Sequence, residues 1–112
     1  MNIPPAALLG AAILSEVMAT TALKASDGFT RLGPSLLAGL GYCISFYLLA
    51  QVMKSIPTGV VYAVWSGLGI VLISVVGWAV YGEKLDTAAV VGMAMIVAGV
   101  GVIQLFSKTA GH

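Results

Sequence analysis

Charge is what this sequence has least of: five Lys and Arg and four Asp and Glu make up 8% of the chain, where soluble domains carry about 25%. So few charges cannot cover a water-facing surface. The net charge of +1 and the lack of any basic run give no face for a polyanion, so no nucleic-acid partner is expected. Histidine occurs once, as the terminal His112, and cysteine once, as Cys43. No His, Cys, Asp or Glu are grouped at ligand spacing, so no metal is expected. A lone cysteine excludes an internal disulfide, and Cys43 reads as a small packing residue. Hydroxyls inside apolar segments, such as Ser66 and Ser74, have no base nearby, which leaves no nucleophile, no cofactor chemistry and no enzyme. Gly67 and Gly69 fall short of a dinucleotide fingerprint, because position 72 is Leu.

What is present is apolar: 60% of residues are hydrophobic, in runs near the 20 or so that cross a bilayer as a helix. The expected fold is an all-α membrane protein with four transmembrane helices, at about 4–23, 34–53, 57–81 and 87–106, in a single domain over 1–112. Gly33 and Pro34 set a turn before the second segment, and Lys54 and Ser55 end it. Pro57 or Thr58 opens the third, Gly82 stops it, and Asp86 or Thr87 caps the fourth. Connections this short make neighbours antiparallel. A cleaved leader fits the first segment poorly, since no Lys or Arg precedes it and Glu16 interrupts it.

Glu16 is the residue that needs a reason. A carboxylate at the centre of a spanning helix costs roughly 2.5 to 3.5 kcal/mol on insertion scales. A structural role, hydrogen-bonded to Thr20 or Ser15, is the plainer explanation; embedded ionisable groups are nevertheless functional candidates by default. Out of water the charged form is disfavoured, so such a group takes up either a proton or a cationic partner. On the first helix Leu9, Ala12, Ile13, Glu16, Ala19 and Thr20 share a stripe. Tyr62, Trp65, Ser66 and Gly69 recur at three and four on the third, and Tyr42, Ser45, Phe46 and Leu49 on the second. Trp65 lies roughly 12 Å into its segment at 1.5 Å per residue, too deep for a headgroup anchor, so with Tyr62 it is expected to wall a cavity. A carboxylate beside aromatic faces suits a lipophilic cation. A proton and a cation competing for one carboxylate make an exchanger.

Gly67 and Gly69 lie inside the third helix and read equally as a hinge or as packing positions. Gly92 and Gly99, two turns apart with Ala88, form a small-residue seam, within a subunit or between subunits. Lys54 and Lys108 fall on one side of the membrane and Lys24, Arg31 and Lys84 on the other. That bias of one residue leaves a fixed orientation and insertion both ways about even. Four short helices hardly enclose a polar cavity, so an oligomer is expected.

The stretches "SEVMATTALKASDGFTRLGPS", "SFYLLAQVMKSIPTGVVYAVWSGLGIVLIS" and "GMAMIVAGVGVI" resemble the small multidrug resistance family over nearly the whole chain. The resemblance implies an antiparallel, dual-topology homodimer in the bacterial inner membrane, exchanging protons for quaternary ammonium and aromatic cations. Glu16 would be the shared proton and substrate site. Trp65, Tyr62 and Tyr42 would contact substrate, with Phe46, Ser45 and Thr20 on the same stripes, and Gly92 and Gly99 would lie in the dimer seam. Two features depart from the family's drug exporters: "PPAALLG" offers no ring where the first helix can carry tyrosines, so a wider pocket is expected, and Gly33 and Tyr47 stand where tryptophan can occur. Ala19 and Thr58 point away from the guanidinium-exporting branch. Export of guanidinium or polyamine-like metabolites is the alternative within transport, and a non-transporting assembly subunit the alternative outside it.

Overall fold

The structure, a computed structural model, describes residues 3–108; His112 lies outside them. Four helices follow one another, α1 Pro5–Ala25, α2 Leu32–Val52, α3 Thr58–Tyr81 and α4 Thr87–Phe106. All four are long and apolar enough to cross a bilayer. Prolines and caps set their starts. Pro5 opens α1 where its missing N–H is no loss, and Pro57 performs the same service one position before α3, its carbonyl accepting Val61 N–H at 3.0 Å. Asp86 caps α4 by accepting Ala89 N–H at 2.9 Å. At the end of α3, Gly82 turns left-handed (φ 67°) and Glu83 N–H returns to the Gly77 carbonyl at 3.1 Å, which satisfies a carbonyl the helix leaves open.

The second helix starts earlier than its sequence suggests. Gly33 and Pro34, expected to form a turn ahead of it, lie inside its first turn, which begins at Leu32. A proline there gives up an N–H that has no intrahelical acceptor in any case. The turn is made upstream, around the fully buried Ser26. Its hydroxyl donates to Leu23 O (2.6 Å) and accepts Phe29 N–H (3.0 Å), and its carbonyl accepts Thr30 and Arg31 N–H. Asp27, Gly28 and Phe29 are all left-handed, so the chain reverses within the six residues 26–31 and α2 runs back along α1.

Helix α1 packs between α2 and α3, and α4 packs on α3. Small residues permit the closest approaches. A Cβ on Gly41 would stand 2.8 Å from Ala19 Cβ and 3.2 Å from Ser15 O, so α2 meets α1 there at backbone distance. Gly67 does the same for α3 and α4, where Val100 occupies the space a side chain would need. The core runs through Leu9, Ile13 and Val17 of α1, Leu49 and Val52 of α2, and Val61 and Val64 of α3. The whole is a slab measuring 44 × 39 × 17 Å. Cys43, expected to be a packing residue, is exposed on the outside of α2.

Candidate functional site

Glu16 sits mid-helix in α1, roughly 17 Å from its start at 1.5 Å per residue, and its two oxygens have different surroundings. Oε1 accepts the Thr20 hydroxyl at 2.8 Å. A helical turn separates the two residues, so this bond needs nothing beyond α1 itself. Thr20 Oγ1 in turn lies 2.7 Å from Tyr42 OH of α2. Since Thr20 has one hydrogen and directs it to the carboxylate, Tyr42 is the donor in the second bond. The result is a directed relay from Tyr42 through Thr20 to Glu16.

Oε2 faces α3, 3.5 Å from where a Cβ on Gly69 would stand. The side opposite α1 is formed by Tyr62, Trp65, Ser66, Gly69 and Ile73, which with Glu16 line a cavity of about 180 Å³. Tyr62 and Trp65 meet edge to face, with centroids 5.5 Å apart and planes at 83°, an arrangement favoured by the ring quadrupoles. On α2, Tyr42 and Phe46 stack at 6.1 Å and 23°. The carboxylate therefore has a hydroxyl relay on one oxygen and open space with rings on the other. The cavity is open on one side, where the lining ring of Tyr62 is 60% exposed.

The residues expected at a site thus divide into groups. Glu16, Tyr62 and Trp65 share one cavity, and Thr20 and Tyr42 reach it through hydrogen bonds. Phe46 is connected to it only through its stack on Tyr42. Ser45 is elsewhere: it is fully buried and donates to the Ala12 carbonyl at 2.9 Å, fastening α2 to α1. The two glycines of α3 also separate. Gly69 clears space for the Glu16 carboxylate, Gly67 for Val100, and α3 is an unbroken helix through both. Gly92 and Gly99 lie on α4 with open space where their side chains would be.

Two features were missed in the sequence. One is an apolar groove of about 530 Å³ between Val17, Met18 and Thr21 of α1, Pro34 and Leu37 of α2, and Val76 of α3. Its lining holds no carboxylate and Tyr81 is its one phenol, whereas the smaller cavity holds Glu16. The other is an ion pair between Lys24 and Glu83, 59 residues apart, of which the only advance sign was that both lie at helix ends on the same side of the membrane. Among the described residues no three His, Cys, Asp or Glu side chains converge, so the charge at this site is that of Glu16 alone.

Comparison with known proteins converges on one family. The family model described as Small Multidrug Resistance protein matches residues 6–96. The chain is 55% identical over 101 residues to the quaternary ammonium compound-resistance protein QacE of Escherichia coli, covering 90% of this chain and 92% of that one. It is 53% identical over 108 residues to the multidrug transporter EmrE of Escherichia coli K12, covering 96% and 98%. Against the multidrug transporter PA4990 of Pseudomonas aeruginosa the identity is 56% over 104 residues, covering 93% and 94%.

Proposed function

The chain belongs to the small multidrug resistance family, and from that premise we propose that it exports lipophilic, aromatic or quaternary ammonium cations in exchange for protons, both competing for Glu16. It is a multi-pass protein of the bacterial inner membrane and a transporter, not an enzyme. The observation that carries the exchange reading is the asymmetry of the carboxylate. Oε1 is committed to Thr20, whereas Oε2 faces the ring-lined cavity. A proton added there neutralises the charge at the middle of α1. A cation there is held by that charge, by the faces of Tyr62 and Trp65, and by burial of its own apolar area at about 25 cal/mol per Å². The two cannot be held together, because either one satisfies the carboxylate. Binding one therefore expels the other.

A second copy of the chain supplies the missing wall in this reading. Support comes from the exposed rings of Tyr62 and Phe46 and from α4, where Val100 alone is buried and Gly92 and Gly99 leave room for a close helix. The one-residue charge bias is weak enough for copies to insert both ways, as an antiparallel pair requires.

Adding tetraphenylphosphonium to purified protein tests the shared site. Wild type should release protons and Glu16→Gln should release none while keeping its helical content, because the amide preserves shape without titrating. Release that persists in the Gln variant sinks the mechanism. Guanidinium currents in proteoliposomes, with none for tetraphenylphosphonium or ethidium, would instead replace the substrate class.

A further inference from the structure

At the end of the bundle that carries residues 26–31 and 82–86, α1 and α3 are joined by contacts the exchange chemistry does not use. Lys24 Nζ lies 2.7 Å from Glu83 Oε2. Several features of α3 are arranged to bring that carboxylate to that lysine. The left-handed Gly82 returns Glu83 N–H to the Gly77 carbonyl, which folds the side chain back along the helix. Gly77 has no side chain, and Glu83 Oε1 lies 2.5 Å from where its Cβ would be. The Tyr81 ring stands 5.6 Å beneath Lys24 Nζ, and its hydroxyl donates to Thr21 O at 2.9 Å. Lys24 is thus held by a carboxylate beside it and a ring below it, both delivered by α3.

Under this cluster lies a cavity of about 140 Å³. Thr20 and Thr21 supply hydroxyls to its wall, and Lys24 and Glu83 lie at its outer end. At about 30 Å³ per water it has room for a few molecules, with polar partners for them. It adjoins the separate Glu16 cavity. Thr20 donates to Glu16, and Ile73 lines both cavities. The seam between α1 and α3 therefore carries polar groups spaced from Glu16 outward: Thr20, bonded to it, then Thr21, whose hydroxyl donates to the Val17 carbonyl, then Lys24 and Glu83.

We propose that the Lys24–Glu83 pair is a gate, closing the water path to Glu16 at this end of the α1–α3 seam and parting when that end opens. The proposal rests on the exchange reading of Glu16. While the pair is formed, the bridged side chains and the Tyr81 ring block the mouth of the outer cavity. When α1 and α3 separate, each partner passes into water at small cost, because both side chains are already about half exposed, at 53% and 50%. A pair this accessible is weak, and weakness suits a contact that must break in every cycle. A deeply buried pair would hold the seam permanently shut. In an antiparallel pair of chains each side of the membrane would have one such gate.

Proteoliposomes test this with a substrate-free proton leak, read as the decay of an imposed pH gradient. Glu83→Gln leaves the count of Lys and Arg unchanged, and the exchanged pair Lys24→Glu with Glu83→Lys keeps that count at the same end, so neither alters the orientation signal. The expected result is a leak about two- to fivefold above wild type in Glu83→Gln, the change in open population that loss of an exposed pair brings. Binding of tetraphenylphosphonium should be retained, which reports a folded site, and the exchanged pair should return the leak toward wild type. An unaltered leak in Glu83→Gln overturns the gate, and so does failure of the exchanged pair to restore it. If the wild type shows no drug-driven proton flux, the exchange reading falls and takes the gate with it; normal wild-type exchange beside an unaltered leak removes the gate alone.

Discussion

Helix α1 buries six side chains and α4 buries one, Val100, although the two are 21 and 20 residues long. Both are apolar enough to span a bilayer, so hydrophobicity does not decide which of them is inside. Lipid solvates an apolar helix as well as protein does, and association in a membrane follows close fit between small residues. Helix α1 has that fit on two sides, with Ala19 against Gly41 and the Ala12 carbonyl taken by Ser45, and with Glu16 against Gly69. Helix α4 has it on one, where Val100 enters the space at Gly67. The carboxylate is carried by the helix with the most side chains buried within one chain. The helix left bare carries Gly92 and Gly99, both with open space beside them.

Substituting glycines on the two sides breaks this comparison with the largest expected effects. Gly41→Val puts a branched side chain where even a methyl meets Ala19 and the Ser15 carbonyl, so α1 and α2 must separate. Overpacking of this kind costs about 1 to 3 kcal/mol, to be measured as lowered stability of the chain in mild detergent under rising denaturant. Gly92→Val with Gly99→Val should leave that same stability within about 0.5 kcal/mol, because nothing stands near either position in the chain. Its effect should appear in chemical crosslinking, as loss of the dimer. Equal loss of chain stability in both variants would show that α4 is held by its own chain after all.

A smaller effect is expected at Trp65, which lines the Glu16 cavity from α3. Trp65→Ala should weaken binding of large aromatic cations by on the order of 1 to 2 kcal/mol through lost cation–π contact, and a small cation less, as titration calorimetry would read. The smallest belongs to Ser45. Ser45→Ala removes one interhelical hydrogen bond, worth about 0.6 kcal/mol in a membrane protein, and should lower stability without changing cation affinity. A change in affinity there would return Ser45 to the cavity wall.

Ser45 also marks where the sequence stops being legible. Hydropathy is enough for four spans, and helical spacing is enough to place Tyr62, Trp65 and Gly69 on one face of α3, because both are properties of a single helix. Tyr42, Ser45 and Phe46 share a face by the same spacing, yet Ser45 bonds a carbonyl of α1 while Phe46 is exposed. Which part of a stripe meets a neighbour depends on where that neighbour lies, and no single-helix period contains this. The same holds for Gly67 and Gly69, alike in sequence and separated by what faces them. Lys24 and Glu83 meet only because two helices, α2 and α3, fold between them. At the start of α2, by contrast, the difference is local: Gly33 and Pro34 have turn chemistry, and the hydroxyl of Ser26 makes the turn before they are reached.

The relay from Tyr42 to Glu16 has a consequence for how the charge state of the site can be watched. While the carboxylate is ionised it draws the Thr20 hydrogen, and Tyr42 must then donate to Thr20. A proton taken on Oε2, the cavity side, leaves Oε1 a neutral and weaker acceptor, so Thr20 donates less strongly and the bond that Tyr42 donates to Thr20 weakens with it. The C–O stretching band of a phenol is sensitive to that change, so one tyrosine on α2 reports in the infrared on a proton held by α1, with no label and no added dye.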